Sequence, residues 1–372
     1  MLFPRLLLRR RPFVRCCNPL SLPQAIFQSR SRAPDVGEGV DFFYSDWANM
    51  DLPTRHRFPM DKYVETRRVL EEEAVARLLP GPLATVDEAC LAHDRGYVES
   101  IVTGRATDAM RKRVGFFEAP MDAYVLRTMA SLGATVAATR RCLRTGGAWS
   151  GAISGGTHHA FAASGEGFCV FNDLAVAARI AQVEFGLSSV LILDLDVHQG
   201  NGTASIFKDD DQVFTISVHQ AKGFPFSTRC ASHIDIGLPD GTSDEDFLEA
   251  LDSLRALVSA RKPELLLYQA GVDGLQGDRF GRWALTRQGL SKRNDLVFAI
   301  AAEAGIPVVV TMGGGYHTDI SKTVECSADV YRQAAATWRG IEGTRSAKRA
   351  RDRTTDARGA MAAGTGDATS GA

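Results

Sequence analysis

One stretch constrains this chain more than any other: the apolar run Val190-Leu191-Ile192-Leu193 passes directly into Asp194-Leu195-Asp196-Val197-His198-Gln199-Gly200-Asn201-Gly202. Side chains of an extended strand alternate between faces, so Asp194, Asp196 and His198 are expected on one side and Leu193, Leu195 and Val197 on the other. So apolar a run belongs in a sheet covered on both faces. Three polar groups there need partners, because burying even one unpaired charge costs several kcal/mol. A metal ion supplies such a partner; so does a hydrogen-bonded Asp–His network. Two carboxylates with an imidazole suit Zn2+ or Fe2+ better than Mg2+ or Ca2+, which prefer oxygen alone.

Similar runs occur at 149–154, 213–218, 265–269 and 306–311, with the run above extended to 189–197. Helical periodicity marks 122–144, 173–185 with Asp173 as N-cap, 244–260 and 286–304. Buried strands alternating with amphipathic helices predict an α/β fold. The expectation is a single three-layer α/β/α domain over residues 39–338, built on a central, mostly parallel sheet.

In such a sheet ligands bind beyond the carboxyl ends of the strands, and here those ends carry polar clusters. Gly155-Gly156-Thr157-His158-His159 offers two imidazoles, which titrate near neutral pH and suit acid/base work, or else form a hydrogen-bonded structural pair. Gly271-Val272-Asp273-Gly274 places Asp273 where it can complete a three-ligand site with an open position, the arrangement of a catalytic metal. Asp278, nearby, reads as a turn cap. Gly313-Gly314-Gly315-Tyr316-His317 lacks the ending of a P-loop; its glycines are expected to let backbone pass close to a narrow substrate and aim Tyr316 inward, as an oxyanion donor or else as core packing.

Forty-three basic residues against forty-four acidic ones give a formal charge of -1, which excludes sequence-wide attraction to nucleic acid or anionic membrane. No apolar run approaches the roughly 20 residues that span a bilayer. Seven cysteines without a C-x2-C pair argue against a disulfide framework and a thiolate zinc site, and fit a reducing compartment. Residues 1–38 form a basic extension with no acidic residue before Asp35, the composition of a mitochondrial or plastid transit peptide and also of a plain disordered tail. Residues 339–372 are low in complexity and expected to be disordered. Their Lys348-Arg349-Ala350-Arg351 run reads as a nuclear address or a solvated patch.

Taken together the motifs resemble the zinc-dependent histone deacetylases of the arginase/deacetylase fold, and within them a class IV-like branch. The resemblance rests on Arg55 to Tyr63, Leu91-Ala92-His93-Asp94 with Tyr97, GGTHHA from Gly155, GEGFCVFND from Gly165, DLDVHQGNGT from Asp194, FPF from Phe224, LPDGT from Leu238, GVDG and GDRFG from Gly271, and GGGY from Gly313. It implies Asp196, His198 and Asp273 as zinc ligands, and His158 and His159 as paired histidines backed by Asp194 and Asn201. Tyr316 would be the oxyanion donor. Gly167, Phe168, Phe224, Phe226 and Gly315 would line the acyl-lysine tunnel. A structural K+ on backbone oxygens of Asp196, His198 and Val218 with Ser217 is also implied.

The implied reaction is hydrolysis of acylated lysine in histones or other proteins, by water that Zn2+ or Fe2+ activates. Arg279, where the family often has proline, and His317, where it often has asparagine or glutamine, bear on substrate preference. A dinuclear manganese ureohydrolase would need a carboxylate where Gly200 stands, two residues beyond the metal histidine. An amidohydrolase of acetylated polyamines, a long-chain deacylase and a catalytically silent binding module are the other readings; the last would be expected to have lost one of the catalytic groups.

Overall fold

The computed structural model describes residues 39–363, with side chains to residue 347. Residues 1–38, where the transit-peptide expectation falls, lie outside the described residues, as do 364–372.

Eight strands form one sheet: β1 Asp41–Tyr44, β2 Arg77–Pro80, β3 Ser150–Ile153, β4 Val190–Asp194, β5 Val213–Gln220, β6 Ile234–Leu238, β7 Leu265–Gln269 and β8 Val308–Thr311. Their order is β2-β1-β3-β8-β7-β4-β5-β6, and every pairing is parallel, so the sheet is wholly rather than mostly parallel. Strands β3, β4, β5, β7 and β8 are buried along their whole length, as continuous apolar runs require. β2 and β6 close the sheet as partly exposed edges.

Helices flank the sheet. Met121–Arg144 packs on Asp173–Phe185, while Arg287–Ala304, Ile320–Ala363 and Asp61–Glu72 form a second packed group. The helix Asp173–Phe185 has the expected bounds but a different cap: Asn172 Oδ1 accepts from Ala175 N at 2.9 Å, and Asp173 is free for another task. The expected helix 244–260 is two, Asp244–Ala250 and Leu254–Arg261. The structure also departs from the expectation of a disordered 339–372, because the last helix runs on to Ala363. Alanine and arginine propagate a helix without any core to bury, so a composition poor in aromatics does not forbid one. Among the described residues no helix is long and apolar enough to cross a membrane.

All carboxyl ends of a parallel sheet lie on one edge. β3, β8, β7 and β4 are consecutive in space, and Ala152, Thr311, Gln269 and Asp194 stand in register across them. The four polar loops that follow these strands are thereby gathered at one place.

Candidate active site

β4 ends at Asp194, so the alternation expected through His198 stops there; residues 195–198 leave the sheet in an irregular turn. The turn still brings Asp196 and His198 to the loop after β7. His198 Nδ1 lies 3.1 Å from Asp196 Oδ1 and 2.9 Å from Asp273 Oδ2, and the three donor atoms fall within 4.8 Å of one another, all buried. Each carboxylate spends its other oxygen on backbone: Gly314 N donates to Asp196 Oδ2 at 2.7 Å and Val197 N donates to Asp273 Oδ1 at 3.1 Å. Among the described residues Asp273 Oδ2 has no hydrogen bond of good geometry, although the His198 ring stands beside it. Burial, then the neighbouring Asp196 charge, push Asp273 up to about 7. Burial would lower His198, but the two carboxylates outweigh it and raise it to about 10. Two buried carboxylates and an imidazole aimed at one point fit a divalent cation with nitrogen and oxygen ligands.

The glycines around this point make room for the carboxylates. A Cβ at Gly314 would stand 1.7 Å from Asp273 Oδ2, and one at Gly271 would stand 2.1 Å from Asp196 Oδ2. Nor does Gly200 leave room for a second metal's carboxylate, since a Cβ there would meet Asp194 Oδ2 at 2.3 Å.

The histidine pair sits beside this group with ring centroids 4.0 Å apart. His158 Nδ1 donates to Asp194 Oδ2 at 2.7 Å. Burial alone would depress His158, yet Asp194 and Asp196 hold it above its ordinary value. His159 Nδ1 faces Asn201 Oδ1 at 2.7 Å, and burial together with the neighbouring His158 drives it well below the ordinary value. Adjacent imidazoles with opposite shifts divide acid from base. The loop that carries them is pinned by Asp173, which accepts from Gly156 N at 3.1 Å and Thr157 N at 2.8 Å.

A cavity of about 800 Å³ opens above, lined by His159, Gly167, Phe168, His198, Phe224 and Tyr316, with Phe226 at its lip. The Phe224 ring meets His159 edge-on at 4.8 Å, whereas Phe226 is 81% exposed. Phe168 holds a left-handed backbone (φ 66°), uncommon for a bulky residue, and its ring lies 5.0 Å from Phe58 and 5.9 Å from Tyr316. A Cβ at Gly315 would meet Thr323 and Val272. Asp278 is the turn cap expected, accepting from Phe280 N and Gly281 N, and it also accepts from Tyr316 N at 2.6 Å. Burial raises the Tyr316 hydroxyl well above its usual value, which keeps it a proton donor.

Four supporting residues were not legible as such. Glu166 receives Asn201 Nδ2 at 2.7 Å. Lys62, 1% exposed, donates to Gly313 O at 2.9 Å and lies 4.9 Å from the Tyr316 ring centre. Arg293, fully buried, donates to the carbonyls of Leu195 and Gly271, one and two residues before Asp196 and Asp273. Asp173 is the fourth. Lys62 and Glu166 stand inside quoted motifs; a charged residue amid an apolar helix face was the one signal for Arg293.

The histone deacetylase domain model matches residues 53–332. An uncharacterised protein of Picosynechococcus sp. is 40% identical over 288 residues, covering 76% of this chain and 94% of that protein. Histone deacetylase 2 of Arabidopsis thaliana is 30% identical over 72% of this chain and 70% of its own length. Histone deacetylase 10, chloroplastic, of Oryza sativa is 27% identical over 88% and 74%. Among solved structures the HDA15 HD domain superposes with a TM-score of 0.66 at 22% identity, covering 80% of this chain and 90% of that one. With the domain match spanning three-quarters of its length, this chain belongs to the histone deacetylase family, and is a hydrolase.

Proposed function

We propose that this chain hydrolyses the acyl amide of acylated lysine side chains in proteins, with Asp196, His198 and Asp273 holding one Zn2+ or Fe2+. The observation that carries the reading is the convergence of these three buried donors beneath a histidine pair whose imidazoles are shifted in opposite directions. Held there, a divalent ion supplies Lewis-acid polarisation of an amide carbonyl and a lowered pKa for water. His159, kept neutral by burial, takes the proton of the attacking water on Nε2. Tyr316 donates to the oxyanion that forms at the carbonyl. His158, held toward its protonated form by Asp194, passes a proton to the departing lysine amine. Gly167, Phe168 and Phe224 pack the neutral amide and its methylene stem.

The structural K+ and the class IV-like branch remain part of this reading on the motif resemblance. An organellar address is supported by the acid-free, arginine-rich start and by the chloroplastic name of the rice relative.

The test is to incubate the purified chain with acetyl-, myristoyl- and trifluoroacetyl-lysine peptides and with acetylspermidine, with and without chelator. Chelator-sensitive turnover of a lysine peptide is expected. Chelator-insensitive turnover would refute the metal, and activity confined to the polyamine would refute the protein substrate.

A further inference from the structure

The mouth of the cavity is strongly basic although the chain as a whole carries a formal charge of -1. Arg55, Arg57, Lys112, Lys222 and Arg279 line it, all exposed, and none has an ion-pair partner among the described residues. Arg57 rests on the Phe280 ring at 5.5 Å and Lys112 on Phe117 at 4.6 Å, contacts that place a cation without neutralising it. Two further arginines at the mouth are compensated, Arg113 by Glu166 at 2.9 Å and Arg282 by Asp240 at 3.5 Å. Against the five uncompensated cations the lining offers one further acid, Glu118, which stands 3.8 Å from His56.

The acylated lysine that enters the cavity is neutral, so its passage is indifferent to this charge. Residues on either side of it in a peptide are not, because they must lie across the mouth, within a Debye length of about 8 Å at physiological salt. A cleft lined by one sign of charge focuses its field on whatever approaches. From this charge complementarity we infer that the substrates are acyl-lysines set among aspartates and glutamates, and that lysine- and arginine-rich segments are disfavoured. The same field opposes an acetylated polyamine, whose remaining amines are cationic. The inference rests on the acyl-lysine reading above and narrows it to acidic protein segments.

The experiment uses three peptides with one central acetyl-lysine, the same dye, and flanks of Asp/Glu, of neutral residues or of Lys/Arg. Binding to the zinc-loaded full chain is read by anisotropy, and kcat/KM is read alongside, at low and high salt. The acidic peptide is expected to bind at least about tenfold tighter than the neutral one at low salt, with the basic peptide weakest and the spread shrinking as salt rises. Arg279→Glu with Lys222→Glu, checked for an unchanged circular dichroism spectrum, is expected to reverse the order. Equal binding of all three, a preference for basic flanks, or an order indifferent to the charge reversal would overturn the inference. Acidic peptides bound tightly in the expected order but never cut would sink the lysine reading while upholding the charge preference of the mouth.

Discussion

Asn201 Nδ2 donates to Glu166 Oε1 at 2.7 Å and to Thr228 O at 3.0 Å, and these contacts together decide which end of the carboxamide reaches His159. With its nitrogen engaged, Asn201 turns its oxygen to His159 Nδ1, which must then carry the proton and leave Nε2 as a base. Arg113 completes the chain by donating to Glu166 Oε2 at 2.9 Å.

Replacing Asn201 with aspartate puts a negative charge beside His159, and the second change Glu166→Gln removes the carboxylate that would repel it. A counter-charge at Nδ1 favours the imidazolium, so the pKa of His159 rises and the base is lost at higher pH than in the parent. The acid limb of the kcat/KM profile is expected to move up by about one unit or more. An unmoved limb would show that His159 is not the base.

Tyr316→Phe removes the hydroxyl and keeps the ring that packs against Phe280 at 4.8 Å. Loss of an oxyanion donor costs about 10²–10³ in kcat, roughly 2.7–4 kcal/mol. Steady-state kinetics on an acyl-lysine peptide should show that fall with KM little changed.

Lys62→Met keeps most of the stem but leaves the Gly313 carbonyl without its donor. An unsatisfied buried acceptor costs about 1–3 kcal/mol, to be read from urea unfolding. Because the same ammonium sits over the Tyr316 ring, kcat should fall as well. Full stability with full activity would contradict both roles.

His93 is neutral in the folded chain: its Nδ1 faces Phe161 O at 2.9 Å, its Nε2 accepts from Asn172 N at 2.8 Å, and burial lowers it to about 4. The unfolded chain protonates this residue near pH 6.5 and so binds the extra proton between the two values. Its contribution is therefore complete above pH 6.5 and is lost as pH falls toward 4. Between pH 6.5 and 5 the loss is on the order of 2 kcal/mol. Urea titrations at these two pH values should show a smaller drop in His93→Gln than in the parent.

The buried runs were legible because length and apolarity suffice for them: β7 and the helix Asp173–Phe185 have the bounds read from sequence. β1, β2 and β6 were missed because none is buried along its whole length: half of β1 is partly exposed, and at the edges β2 and β6 carry little apolar signal. Asp196, His198 and Asp273 announced themselves as polar groups at the ends of buried strands. Glu166, Lys62 and Arg293 did not, since each acts on a residue dozens of positions away or more, and no local pattern encodes such a meeting. One task of the triple glycine was hidden for the same reason: what Gly314 makes room for is Asp273 Oδ2, brought there from another strand.

Everything chemical in this account depends on Asp196, His198 and Asp273 sharing one ion. Calorimetric titration of the metal-stripped chain with Zn2+ tests that most directly, run beside Asp273→Asn and His198→Ala with folding checked by circular dichroism. One equivalent per chain is expected for the parent, with affinity lower by about 100-fold or more in either variant. Equal stoichiometry and affinity in all three proteins would contradict it.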